Sequence, residues 1–165
     1  MKEAAGSDDG AVADLLWAVA RPEPDPEEVR RAAAGVADVG RLLALAEQHG
    51  LGPLLHRALE HAGCSTVLGD QAPFLSQLAE VRRFEGLLLV PRALAAAVTP
   101  LADAGLEPVV LKGPSLAARY PEPGLRTMED IDLLLPEPQH RAAVAALGRA
   151  GWQVVRGRGV DRYDT

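Results

Sequence analysis

Apolar residues in the first hundred positions recur at intervals of three and four, the spacing that gathers them on one face of a helix. Four such stripes follow one another along this part of the chain. They comprise Val12, Leu15, Leu16 and Val19; Leu42, Leu45 and Ala46; Leu54, Leu55, Ala58 and Leu59; and Phe74, Leu78, Val81 and Leu88. The pattern therefore predicts a helical bundle.

Helix start and stop residues stand between these stripes. Asp25 followed by Pro26 is typical of a helix N-terminus, and Asp70 is expected to cap the helix that carries the fourth stripe. Pro91 is expected to kink or split that helix, because a proline inside a helix loses a hydrogen bond and clashes with the preceding turn. Glycines end the predicted helices at positions 35, 50, 63, 105 and 151.

The hydrophobic pattern changes after Glu107. Short apolar runs at 108–113, 131–135 and 152–155 predict three strands, with a short helix and a longer one between them. We therefore predict an α/β (α+β) protein with two regions. A helical bundle at residues 1–105 precedes a small, incomplete mixed sheet at residues 106–165, although the helices could also pack onto the sheet as one unit.

Charge and composition narrow the classes of function. The chain has 165 residues with 17 Lys and Arg against 23 Asp and Glu, a net charge of −6, which disfavours binding to long nucleic acid. Cys64, the single cysteine, suits a reducing compartment. No uninterrupted apolar run reaches membrane-spanning length and the first residues lack a signal-like core, so we expect a cytoplasmic protein without membrane contact.

Two acidic residues in the second predicted strand offer the clearest chemistry. Asp130 and Asp132 are two positions apart, so in a strand both carboxylates project from the same side. Adjacent carboxylates repel each other, and a divalent cation relieves that repulsion. Oxygen ligands of this kind suit Mg²⁺, with Mn²⁺ as the alternative. Two ordinary acids at a solvated strand end would give the same sequence.

The turn after the first predicted strand suits an anion. Gly113 allows close backbone approach, the following helix offers free N–H groups, and the Ser115 hydroxyl adds a donor. A plain turn with a helix cap is the other interpretation. Lys112 could contact a phosphate or pair with Asp130 or Glu129. Arg126 could clamp a phosphate or hold Glu122 or Glu129, and the structural role is slightly favoured.

Three short sequence motifs follow one another in this region: LKGPSL at 111–116, YPEPGLR at 120–126 and MEDIDLLL at 128–135. In this order they resemble an uncharacterised bacterial nucleotidyltransferase family, which has a helical N-terminal region. The resemblance implies that Gly113 and Ser115 bind nucleotide phosphates and that Asp130 and Asp132 are catalytic metal ligands. It implies an enzyme that transfers a nucleoside monophosphate from an NTP to an acceptor, and the acidic chain favours a small-molecule, peptide or protein acceptor over long nucleic acid.

A third carboxylate, which the nucleotidyltransferase superfamily leads us to expect, is missing from the pattern. Its enzymes usually carry a third carboxylate on a later strand, and Asp161 and Asp164 are the only late acids here. Either this is part of a longer chain or part of the site has been lost. The alternative function is a catalytically incomplete nucleotide- or partner-binding module, with a plain helical interaction domain as a third. The incomplete sheet also predicts a homo-oligomer, because exposed strand edges tend to pair.

Overall fold

A computed structural model describes residues 4–21, 23–128 and 130–155, and gives side chains from residue 9 onward. Within these residues the fold is mostly helical. The described α-helices are α1 (Ala4–Val19), α2 (Pro26–Ala33), α3 (Val39–Gln48), α4 (Gly52–Ala62), α5 (Ala72–Phe84), α6 (Val90–Asp103), α7 (Gly113–Ala117) and α8 (His140–Arg149). Three shorter helical segments join them: 3₁₀ turns at Ser65–Gln71 and Glu137–Gln139, and a π-helix at Glu85–Leu89.

Two short strands, β1 (Val109–Leu111) and β2 (Asp132–Leu134), form an antiparallel sheet with Leu111 opposite Asp132. The α+β class is therefore confirmed, whereas the mixed sheet is wrong for the described residues. The predicted third strand, residues 152–155, forms no strand. After α8 the chain turns towards α6, where the Trp152 Nε1–H donates to the Ala96 carbonyl at 3.4 Å, rather than towards the sheet.

The predicted helix caps give different outcomes. Asp25 caps α2 as expected, because its Oδ1 accepts the Glu27 N–H at 3.0 Å. The prediction for Asp70 is wrong: it lies inside a 3₁₀ segment, and α5 begins two residues later with Pro73 in its first turn. A proline fits there because its missing N–H has no helical partner at that position.

Pro91 does not end the helical stretch that contains it, and the helix is irregular directly before it. The π-helix at Glu85–Leu89 precedes it, and the Val90 N–H donates to the Glu85 carbonyl five residues back. A π turn is wider than an α turn, so it makes room for the proline ring and removes the demand for the lost hydrogen bond. α5 and α6 therefore run on through the π-helix.

This continuity also changes the membrane analysis. By length and composition alone, the stretch Ser65–Asp103 could cross a membrane: it has 39 residues, and its most apolar window has a mean hydropathy of 1.4. A single helix of this kind is weak evidence, because core helices and signal sequences pass the same test, although only 11% of this window is buried. Counting uninterrupted apolar residues missed the stretch because charged residues such as Arg92 interrupt it.

Buried apolar side chains form two clusters. The larger one joins α1–α5 and includes Leu15, Leu42, Leu55, Leu59 and Leu75. The smaller one contains Leu101, Leu106, Ala143 and Ala146, with Leu133 and Leu135 packed against it. Leu101 belongs to α6, so the last helix of the predicted bundle packs with the sheet and α8.

Candidate functional site

The loop between α7 and β2 (residues 119–128) is held against the helical bundle by ion pairs. The Arg57 guanidinium donates from Nε to Glu122 Oε1 at 2.8 Å, and Arg83 lies 3.8 Å from the other carboxylate oxygen. The hydrogen bond from Arg57, and then the charges of both arginines, lower the pKa of Glu122 below its ordinary value. The middle of the loop is therefore fixed to α4 and α5.

Close backbone contact fixes the same loop a second time. Gly124 has φ 82°, and a Cβ there would lie 2.4 Å from the Arg83 Cα. A Cβ on Gly86, in the π-helix, would lie 2.7 Å from the Gly124 Cα. Farther along, the Thr127 hydroxyl donates to the Gly50 carbonyl at 3.1 Å. These contacts determine where the chain enters the segment that carries the two acids.

Asp130 and Asp132 line one cleft of about 860 Å³. Asp132 begins β2, whereas Asp130 precedes the strand, so the prediction that both lie within a strand is wrong for Asp130. The opposite wall comes from α5, the π-helix and α6 through Arg82, Glu85, Leu89, Val90, Ala93 and Ala97. The acids therefore face the helical bundle across an open space of ligand size.

Lys112 connects the glycine turn to these acids. Its Nζ lies 2.9 Å from Asp132 Oδ2. The hydrogen bond and charge of Asp132 raise the pKa of Lys112, and the charge of Asp130 raises it further. Both carboxylates thus act on one ammonium group. The sequence predicted Asp130 or Glu129 as the partner if Lys112 forms an ion pair. The bonded partner is Asp132, and Glu129 lies outside the described residues.

Gly113 and Ser115 have local roles in the turn. Gly113 is buried, and a Cβ there would lie 2.9 Å from the Met128 Sδ, so the absence of a side chain lets the turn pack on the segment before β2. The Ser115 hydroxyl donates to the Lys112 carbonyl at 2.8 Å and remains exposed. Neither residue, nor Lys112, is among those that line the cleft, and their part in nucleotide binding stays a prediction.

Arg126 does not hold Glu122, which is bonded to Arg57 instead. Its side chain is half-buried, and its Nε is buried without a hydrogen-bond partner among the described residues. Arg126 is not among the residues that line the cleft. Its predicted contact with phosphate stays a prediction.

The cleft also contains two charged residues and a tryptophan that the sequence did not predict there. Arg82 and Glu85 form an ion pair at 3.0 Å on the bundle side of the cleft. Trp152 is 44% exposed and lines the cleft near α6. Nothing in the local pattern marks these residues, because they meet the acids only through long-range packing.

The donor set near the acids is small. The described residues contain no group of three or more His, Cys, Asp or Glu side chains placed to hold a metal ion. Two carboxylates still suit a hard divalent cation whose remaining ligands are water and phosphate oxygens. Asp132 is paired with the Lys112 ammonium, so a divalent cation that uses the same oxygen has to displace that group. Once that group is displaced, the two carboxylates fit such a cation.

A family model described as "Uncharacterised nucleotidyltransferase" matches residues 36–164. The chain belongs to this nucleotidyltransferase family, and membership implies an NTP substrate. No curated protein and no solved structure matches the chain.

Proposed function

We propose that the protein is a Mg²⁺-dependent nucleotidyltransferase that moves a nucleoside monophosphate from an NTP to a small-molecule, peptide or protein acceptor. An acceptor hydroxyl or another nucleophile attacks the α-phosphorus, and pyrophosphate leaves. One observation carries the proposal: Asp130 and Asp132 line the same cleft, and Asp132 binds a cationic group that comes from the glycine turn. The acids thus line a space of ligand size, and one of them is bonded to the turn.

The side chains divide the work by charge. Asp130 and Asp132 hold the divalent cation, which neutralises charge on the polyphosphate. In this proposal the N–H groups that follow Lys112, together with the Ser115 hydroxyl, orient the phosphates. The positive charges of Lys112 and Arg126 add electrostatic stabilisation. Mn²⁺ is expected to substitute for Mg²⁺ because it accepts the same oxygen ligands.

The bundle side of the cleft is proposed as the acceptor site. It combines an apolar wall on α6 with the polar ion pair of Arg82 and Glu85. A volume of about 860 Å³ exceeds what phosphates and a metal need, so part of it is available to the acceptor. The net charge of −6 disfavours long nucleic acid there.

The test replaces each acid by its neutral isostere. With labelled NTPs, Mg²⁺ and a library of candidate acceptors, the unmodified protein should transfer label. Asp130→Asn and Asp132→Asn should each reduce transfer by about 100-fold or more, since each removes an anionic metal ligand. Asp103→Asn, on the exposed end of α6, is the control and should retain full transfer. Undiminished transfer in both site variants would refute the proposal.

A second candidate is a nucleotide- or partner-binding module that has lost catalysis. The observation that favours it is the donor set: among residues 9–21, 23–128 and 130–155, no third carboxylate joins the acidic pair in a metal cluster. Asp161 and Asp164 lie outside the described residues. Calorimetry separates the two, because the module would bind Mg²⁺–NTP with dependence on Asp132 and yet transfer no label to any acceptor.

A further inference from the structure

The side chain of Lys112 is placed where a metal-binding carboxylate should be free. Its Nζ is 2.9 Å from Asp132 Oδ2, and the lysine side chain is 73% exposed. A divalent cation at this carboxylate would meet the ammonium as a like charge at short range. The ion pair and the metal site therefore exclude each other at this oxygen.

The choice of lysine is unusual for this chain. Of its 17 basic residues only Lys2 and Lys112 are lysines, and the remainder are arginines. An arginine can grip a carboxylate with two parallel hydrogen bonds, whereas the lysine ammonium is a compact, strongly hydrated charge on a flexible stem. An exposed lysine pair is the easier one to break. The site thus carries the basic side chain that leaves its partner most readily.

The backbone at this position is also strained. Lys112 has φ 47° and ψ −114°, and no other described residue except glycine has a positive φ. A side chain makes this conformation unfavourable, and such residues cluster at functional sites. A glycine would adopt this backbone with less strain, yet the chain places its amine here. The turn thus directs a cation at the acid pair despite that strain.

We propose that Lys112 is a positioning residue that holds Asp132 in the metal-free protein and gives way when the divalent cation binds. In the free protein it neutralises Asp132 and keeps the carboxylate oriented towards the turn. Once displaced, its ammonium lies on the same turn as the predicted phosphate-binding groups and adds positive charge for the polyphosphate. This inference rests on the proposed function, because it takes Asp132 as a metal ligand.

The experiment measures binding of Mn²⁺ alone by electron paramagnetic resonance, without nucleotide. Lys112→Met keeps the side-chain length and the backbone strain but removes the competing charge. Lys112→Met should bind Mn²⁺ about fivefold more tightly than the unmodified protein, the size expected from an exposed ion pair. Lys112→Arg should bind no more tightly than the unmodified protein. Arg119→Met, an exposed arginine just after α7, controls for the loss of one positive charge nearby.

A second titration adds a non-hydrolysable NTP analogue. With the analogue present, Lys112→Met should bind Mn²⁺–nucleotide about fivefold more weakly, because the charge that serves the polyphosphate is gone. A lysine with only a structural role would not change the affinity for Mn²⁺ alone and for Mn²⁺–nucleotide in opposite directions. Thermal melting of each variant shows that it is folded.

The outcomes separate this inference from the proposed function. If the unmodified protein binds Mn²⁺ and Asp132→Asn does not, but Lys112→Met binds no more tightly, the inference is overturned and the proposed function stands. A gain in Lys112→Met equal to that in Arg119→Met also overturns it, since general charge then explains the effect. If neither the unmodified protein nor Lys112→Met binds Mn²⁺, both fail.

Discussion

Gly124 shows how one residue determines the position of a site six residues away. Its φ of 82° is open to glycine and unfavourable for residues with a side chain. The space where a Cβ would stand is filled by the backbone of Arg83 in α5. The Arg83 backbone cannot move without shifting α5, so glycine at position 124 is required by packing as well as by conformation.

Gly124→Ala should therefore destabilise the fold by about 3 kcal/mol, because it combines a positive φ with a clash against backbone. Chemical unfolding at neutral pH measures the loss. Gly148→Ala is the matched control: it lies inside α8 with open space around it, and should stabilise the protein by about 0.5–1 kcal/mol. Equal effects of the two substitutions would contradict the packing argument.

At the scale of elements, the loop at residues 119–128 positions the sheet relative to the helical bundle, because it is bonded to the bundle before the chain enters β2. It joins α7 to β2, yet its strongest polar contacts are to α4 and α5, through Arg57 and Arg83. The two strands have only three residues each. A sheet of this size has little stability of its own, so the loop contacts matter for the geometry of the acids.

The ion pair of Glu122 predicts a pH dependence. Its lowered pKa means that the pair stabilises the fold fully above the ordinary glutamate value of 4.5, and that this contribution is lost as pH falls through the lower folded-state pKa. Glu122→Gln should lower the free energy of unfolding by about 1 kcal/mol at pH 7. This is less than for a buried pair, because the Glu122 side chain is partly exposed. The difference from the unmodified protein should shrink as pH falls below 4.5.

Urea unfolding at a series of pH values measures this difference directly. Glu107→Gln, an exposed residue before β1, serves as the control and should show a difference near zero throughout. A gap between Glu122→Gln and the unmodified protein that persists undiminished at low pH would contradict the assignment to the carboxylate charge.

At the scale of the whole molecule, the buried apolar residues form two separate clusters, and the cleft is lined by elements that belong to both. The larger cluster holds the bundle, and the smaller one holds the sheet and α8 against Leu101. Outside these clusters the described sheet leaves apolar side chains in solvent: Val109 is 56% and Leu134 54% exposed, and the two face each other across the strands. An apolar sheet face with open edges favours association.

We therefore expect the chain to self-associate through this sheet. Sedimentation velocity over a range of concentrations should show a second, larger species, and Val109→Lys should reduce it by placing a charge on the edge. Val144→Lys, on an equally exposed position of α8, should leave association unchanged. A single monomeric species at every concentration, or equal effects of both lysines, would contradict this expectation.

The sequence by itself determined the helical bundle, both strands, the α+β class and the family. These follow from local pattern: apolar spacing selects helix or strand, Asp25 satisfies N–H groups next to it, and the ordered strings at 111–135 carry the resemblance. Predictions from local pattern were incomplete where the backbone geometry differs from a regular helix or strand. The helix continues past Pro91 through the π-helix, and residues 152–155 form no strand, with Trp152 bonded to α6.

Only the tertiary structure decided which side chains share the cleft. Arg82 and Glu85 precede the acids by more than forty positions, and no spacing rule relates them. The partner of Lys112 was likewise decided by the register of two strands, which sets Leu111 opposite Asp132 and so brings the next residue's ammonium to that carboxylate. Contacts between distant segments depend on how buried surfaces fit together, and that fit is a property of the whole chain rather than of any local stretch.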